Sequence, residues 1–331
     1  MSEPYTAREA SPIADMSYRT YTGPLSVRRM RWWIVALSGL RSSVKKKGFW
    51  VVAGISLLPY LMITAQLYFT SRAQAMTGAV GARAAASPMN PLGVPEVGQR
   101  FASSFLQAMQ FQMFFLFLIA LMTGAGVVAA DHRANALIVY LSKPITKFDY
   151  LFGKWMSVFL MIFFVSLAPA LLLYLYCLGS YTSEGFLRDE PLLLLRGVAA
   201  CCIPAAVHAS LLLGFSSWSR TPRMAGALYA GLYFLSSFVS GAVWAIKYRG
   251  NLSQGILERH LSVEGVINGI VQNIYGVVQK VATFNRRSGG MEQLSLSPPD
   301  IRILLLVGLV LCAVSLFAAF RRIRAVEVVR G

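Results

Sequence analysis

Acidic side chains are scarce in this chain. Its 331 residues carry 14 Asp and Glu against 31 Lys and Arg, and only 14% of residues are charged. A soluble globular protein is typically about a quarter charged, so an ordinary water-facing surface is excluded. No Asp or Glu falls inside any of the six longest apolar stretches. Buried carboxylates for ion-coupled transport are therefore missing. Histidine is rarer still, with three residues, and no Cys/His spacing suits a metal. A G-x-x-x-x-G-K-[ST] phosphate loop is absent: Gly153-Lys154 is followed by Trp155, and Phe148 stands in place of the first glycine. HExxH and GxSxG are absent too, which removes the common metalloprotease and hydrolase chemistries. The four cysteines, Cys177, Cys201, Cys202 and Cys312, all lie in apolar stretches. They read as small apolar residues, not as a disulfide framework.

What is abundant is apolar sequence. Hydrophobic residues make up 56% of the chain, and its mean hydropathy is +0.56. About 20 residues of helix cross the hydrocarbon core. Six stretches qualify: Phe49–Phe69, Gln110–Ala130, Trp155–Gly179, Leu192–Phe215, Met224–Ile246 and Ile303–Phe320. The expected fold is an all-α polytopic membrane protein. The first apolar run starts only at residue 49, so it reads as an uncleaved anchor rather than a signal peptide. With both termini inside, the inside segments hold 19 Lys and Arg in 91 residues, and the outside segments 10 in 106. That bias is the positive-inside pattern. The basic surplus is thus a topology signal, and nucleic acid is not an expected partner.

Residues 1–27 read as a polar cytoplasmic tail. Residues 28–48 follow with Trp32, Trp33, Val35, Ala36 and Leu40 on one helical face and Arg28, Arg29, Arg31 and Arg41 at its edges. This predicts an interfacial helix at headgroup level, or else an ordinary basic flank of the first span. The six-span domain covers 49–320, and 321–331 is a basic cytoplasmic end. The outside loop 247–301 contains Val263, Val266, Ile267, Ile270, Val271, Ile274 and Val278 at three- and four-residue steps, the period of one helix face. Glu264, Asn268, Gln272, Asn273, Gln279 and Lys280 ring the other side. Such a helix either lies on the outer leaflet or covers an outer mouth. Two ionisable groups fall in the fourth span. Arg196 sits near its outer end, where it can snorkel. His208 lies deeper, either as a hydrogen-bonded packing residue or on a substrate path. Pro59, Pro169 and Pro204 predict kinks.

The most informative segment is 131–154, "DHRANALIVYLSKPITKFDYLFGK", a charged island between the second and third spans. Asp131 reads as a helix N-cap. A helix over 131–142 follows, with Leu137, Ile138 and Leu141 on its apolar side and Arg133 in its first turn. Pro144 stops it. Thr146-Lys147-Phe148-Asp149 has the capping-box spacing and starts the return into the membrane. The apolar side either rests on the protein's own spans or enters a groove on a partner.

The island resembles the membrane subunit of ABC exporters of the ABC-2 family. The carrying residues are Asp131 and Arg133, Ala136-Leu137, Leu141-Ser142-Lys143-Pro144-Ile145-Thr146-Lys147, Tyr150 and Gly153-Lys154. The basic N-terminal helix, six spans and the ending "RRIRAVEVV" are also similar. Asp for Glu at 131, Ala134-Asn135-Ala136 in place of Gly-Thr, and the long third outside loop depart from the pattern and bear on the subfamily. The resemblance implies a cytoplasmic coupling helix, with Asp131, Arg133, Leu137, Ile138, Leu141 and Pro144 contacting an ABC ATPase subunit. ATP and Mg would sit on that subunit, with no cofactor in this chain. It further implies a second permease copy or homologue, membrane lipids as surroundings, and a plasma membrane or prokaryotic inner membrane location. His208, Ile270 and Ile274 are the candidates for a translocation path or outer gate. The rival readings are a stand-alone secondary transporter or channel, and a lipid-modifying membrane enzyme.

Overall fold

The computed structural model describes residues 30–85, 100–134, 136, 146–183, 185–249, 251, 253–285 and 290–323. Six of its helical segments are long and apolar enough to span a membrane: Lys47–Arg72, Arg100–Arg133, Lys147–Tyr181, Leu193–Trp218, Pro222–Tyr248 and Ile301–Arg322. All six stretches expected from the sequence are among them.

Before the first span, α1 (Arg31–Val44) is a separate helix. It is shorter than the expected 28–48: a turn at Lys45–Lys46 separates it from α2 (Lys47–Ile55), and residues 28 and 29 lie outside the described residues. The first span comprises α2 and α3 (Leu58–Ala85), broken at Ser56–Leu57 just before Pro59, which has no N–H to continue the ladder. The second span is α4 (Arg100–Gly124), a turn, and short α5 (Ala129–Arg133). The third is α6 (Lys147–Tyr181). After α7 (Phe186–Asp189) come α8 (Leu193–Trp218) and α9 (Pro222–Tyr248), the fourth and fifth spans. The segment between the last two spans then forms α10 (Ile256–Arg259), α11 (Val263–Tyr275) and a hairpin of β1 (Gln279–Asn285) and β2 (Gly290–Leu296). The last span is α12 (Ile301–Arg322).

The fourth span is the hub. Within its most apolar window 67% of residues are buried in the chain, against 17% for the fifth and sixth spans. Helix α8 packs on α4, α6, α9, α11 and α12, while α9 and α12 turn most of their apolar surface outward.

Of the three span prolines, Pro59 follows a break, whereas continuous helices run through Pro169 and Pro204. Pro169 cannot donate to the Val165 carbonyl one turn earlier. Gln112 Nε2 donates to that carbonyl at 3.3 Å and to Ser56 O at 3.4 Å. Ser166 Oγ donates to Gln112 Oε1 at 3.4 Å. One buried amide thus joins the first three spans and satisfies a carbonyl that hydrocarbon could not.

Helix α11 follows the predicted periodicity but stops earlier. Ser262 caps its start, accepting Gly265 N–H at 2.9 Å, and Gly276, with φ +68, ends it in the left-handed region. Val278 lies beyond the helix. None of its 13 residues is exposed. The helix sits among α4, α8, α9 and α12, and its polar side is covered as well. Gln272 is buried and donates to Val277 O at 3.1 Å, and Asn273 donates to Pro299 O at 2.9 Å. The alternative of a helix lying on the outer leaflet is therefore set aside. The hairpin was not expected. Its strands pair antiparallel, Gln279 with Leu296 and Asn285 with Gly290, and it is the only sheet among the described residues.

Candidate functional site

The island's two flanks are described; its middle is not. Leu137, Ile138, Leu141 and Pro144 lie outside the described residues, as do the termini 1–29 and 324–331. What the structure defines is the pair of helix ends that hold the island.

Asp131 does not cap a helix. Helix α5 begins two residues earlier, and Asp131 lies inside its first turn. The cap comes from another span. Ser216 Oγ, on α8, accepts the N–H groups of Val128 at 3.0 Å and Ala129 at 2.9 Å, and donates to Ala125 O at 2.9 Å. A single buried hydroxyl therefore closes the turn between α4 and α5. Close packing supports it, since a Cβ on Gly124 would lie 2.7 Å from Leu212.

With its capping role taken, the Asp131 carboxylate faces α6. Tyr150 donates its hydroxyl to Asp131 Oδ2 at 2.6 Å, and Lys154 Nζ lies 2.7 Å from the same oxygen. Tyr150 is fully buried, and the side chains of Lys154 and Asp131 are 11% and 16% exposed. The Lys154 ammonium also sits 5.6 Å from the Tyr150 ring centroid. Arg133 is exposed at the end of α5. The other flank starts as the sequence indicated. Asp149 N–H donates to Thr146 Oγ1 at 3.1 Å, and Thr146 N–H to Asp149 Oδ2 at 3.3 Å, a complete capping box.

The same base of α6 holds α1. A Cβ on Gly153 would lie 2.6 Å from the Trp32 carbonyl and 2.7 Å from Val35 Cβ; one on Gly39 would lie 2.7 Å from Ser157. Only glycine permits this crossing. Trp32 meets Phe152 edge-on at 5.0 Å. Of the residues assigned to one face of α1, Trp33 does not join it and is exposed on the other side. The corner is thus a clamp: α1, α5 and α6 converge, α8 supplies the cap, and one buried ion pair closes it.

A second polar seam starts at His208 on α8, eight residues before Ser216. His208 is fully buried, and its Nδ1 pairs with the Tyr229 hydroxyl, which fits the hydrogen-bonded packing alternative. Phe117 stacks on Tyr233 at 4.4 Å beside it. Tyr233 bonds in turn to Glu264 on α11, whose carboxyl is pushed up by burial. Ile270 is buried between Val266 and Leu304, and Ile274 packs against the core. His208 on α8 and the two isoleucines on α11 are not in one cluster. Arg196 reaches Glu190 at 3.6 Å. Glu190 in turn accepts the Ala102 N–H at 3.2 Å, at the start of α4, and burial pushes its carboxyl up. Sequence reasoning missed Ser216, Gln112 and Glu190. Gln112 was hidden as an isolated polar residue in an apolar run and Ser216 as one of several serines just past one, and the partners of both lie more than fifty residues away.

The protein-family comparison matches residues 33–322 to the family described as ABC-2 family transporter protein. No curated protein matches the chain. The family and the six apolar helices make this a multi-pass membrane protein with a transport role.

Proposed function

The chain belongs to the ABC-2 family of transporter proteins, and we propose that it is the membrane-spanning permease subunit of an ABC exporter. ATP and Mg bind on a separate nucleotide-binding subunit, and hydrolysis occurs there, not on this chain. Two permease copies, or one copy and a homologue, form the membrane dimer. It resides in the plasma membrane, a prokaryotic inner membrane, with both termini in the cytoplasm. The island 131–142 is the coupling element that docks on the ATPase.

The observation that carries this reading is the clamp around Asp131. A segment that transmits force needs rigid anchorage at both ends, because a slack loop would absorb the motion. One end of the island is tied to α6 by Asp131, Tyr150 and Lys154 and to α8 by Ser216. The other end is locked by the capping box. Displacement of the island is thereby delivered to the third and fourth spans, and the fourth is the hub. ATP then biases two states of the membrane dimer. At the outer side α11, with Ile270 and Ile274, serves as a lid, and His208 lies on the path beneath it.

Co-purification tests the reading. The native chain should retain an ATPase subunit, and Leu137→Asp should weaken that retention by roughly 2–4 kcal/mol, as for an unpaired buried charge at an interface. Cysteines at Ser26 and Arg330 should resist an impermeant thiol reagent from outside, while Ser87 and Ser288 should label. Cation-driven flux without any ATPase, or a normal complex with Leu137→Asp, would remove the proposal.

A further inference from the structure

Helix α1 uses only half its surface inside the chain. Val35, Ala36 and Ser43 are buried against α6, and Gly39 sits against Ser157. The opposite side presents Trp33, Ile34 and Val44, at 42%, 50% and 39% exposure. Beside them, one turn apart, stand Arg41 and Lys45, both exposed, with exposed Ser42 between them in sequence. Residues one turn apart share a helix face. Among the described residues none forms an ion pair with Arg41 or Lys45. The charge imbalance is extreme: no Asp or Glu occurs from Met16 to Pro95.

The height of α1 is fixed as well. The first span begins at Lys47, three residues past its end. Trp50 Nε1 donates to Val44 O at 2.9 Å, and Lys46 Nζ donates to Met122 O, near the end of α4, at 3.1 Å. Helix α1 is therefore held level with the ends of two spans, where phospholipid headgroups lie. Tryptophan and basic residues suit that layer.

We propose that Arg41, Lys45 and Ser42 bind the phosphate of an anionic phospholipid, whose acyl chains lie along Trp33, Leu37 and Val44. Two cations favour a headgroup whose phosphate charge is not cancelled by an ammonium of its own, as it is in a zwitterionic lipid. The apolar edge gives a lipid purchase that free phosphate would not have. This site does not depend on the ATPase pairing and is measured on the permease chain alone.

The test is native mass spectrometry of the full-length protein titrated with phosphatidylglycerol and with phosphatidylcholine. Basic residues near a membrane surface favour anionic lipid by about fivefold each, so the native protein should prefer phosphatidylglycerol by about 25-fold. Arg41→Gln with Lys45→Gln should bring that preference near unity, whereas Arg41→Lys with Lys45→Arg should retain it. Trp33→Ser should weaken both lipids alike. An unchanged preference in the double Gln protein overturns the site, and so does its loss in the Lys/Arg exchange. Inorganic phosphate displacing the lipid at equal concentration also overturns it, because the apolar edge would then play no part.

Discussion

Removing the Asp131 carboxylate should loosen the corner where α5 meets α6 without unfolding the membrane domain. Asp131→Ala takes away the acceptor of Tyr150, at 2.6 Å, and the counter-charge of Lys154, at 2.7 Å. Breaking a buried pair by deleting one partner costs roughly 3–5 kcal/mol, because the remaining charge is stranded. Two features reduce that here. Both side chains keep slight exposure, 11% and 16%, and Lys154 retains the Tyr150 ring. We expect about 2–3 kcal/mol, which is roughly a 30- to 150-fold change in the opening of the corner. Amide hydrogen exchange reads such local opening directly. Amides of α5 and of the first turns of α6 should exchange faster by that factor, while those of α8 above Ser210 keep their rates. A double-mutant cycle with Lys154→Met isolates the pair, and the coupling should be roughly 1.5–3 kcal/mol. In the full transporter the same substitution should lower transport more than ATP hydrolysis. Unchanged exchange in α5, or coupling below about 0.5 kcal/mol, would refute the view that this ion pair holds the island.

Four further outcomes follow from particular contacts. Gly39→Val and Gly153→Val should each cost about 1–3 kcal/mol from overpacking, the first against Ser157 and the second against Trp32 and Val35, read as a lower unfolding midpoint in detergent. Gln112→Leu should destabilise by about 1–3 kcal/mol, because it leaves the Val165 carbonyl without its donor; an unchanged unfolding midpoint in detergent would show that the amide is dispensable. Burial holds His260 below the ordinary histidine range, with its Nδ1 bonded to Ile256 O at 2.7 Å and Arg259 adding to the shift. The detached outer segment then takes up a proton before the packed one as pH falls. Packing should be constant above about pH 6.5 and weaken below it, and His260→Gln should flatten that dependence in thiol labelling of a cysteine replacing the buried Val271. Ile270→Asn removes burial worth about 1.5–3 kcal/mol from the contact with Leu304. ATP hydrolysis should continue while transport becomes less tightly coupled; if both rates stay unchanged, α11 is not a lid.

Much of this architecture was legible because the bilayer imposes a length. A run of about 20 apolar residues has few alternatives to a span, so all six spans were readable. The period of α11 was also readable, because apolar residues at three- and four-residue steps fit one helix face. Its full enclosure was not, since its polar side looked solvated until α4, α8, α9 and α12 closed around it. The capping box at Thr146 was readable because both partners lie three residues apart. Ser216 was not, because it caps a turn nearly ninety residues upstream. Asp131 shows the limit most clearly. Its sequence position suits an N-cap, yet the same carboxylate suits an ion pair, and only the arrival of α6 decides between them. The turn before it did leave a signal in Gly124-Ala125-Gly126, a helix-ending pattern inside an apolar run.

The two polar regions differ in how completely they are satisfied, and the difference bears on which end moves. At the Asp131 corner, Ser216, Asp131, Tyr150 and Lys154 all meet partners at short distance; among the described residues there, His132 Nε2 is the one buried polar atom without a protein partner. On and near α11, Tyr275 OH, Asn268 Oδ1 and Tyr60 OH are buried without a protein partner, as are His208 Nε2 and Ser237 Oγ on the fourth and fifth spans. Buried polar groups in native proteins are paired, by water or ligand where protein does not serve, and an unpaired one costs about 1–3 kcal/mol. The groups around α11 are therefore the ones that water or ligand completes. On the proposed lever, force enters at Asp131 and α11 is the element that yields, with the buried fourth span between them.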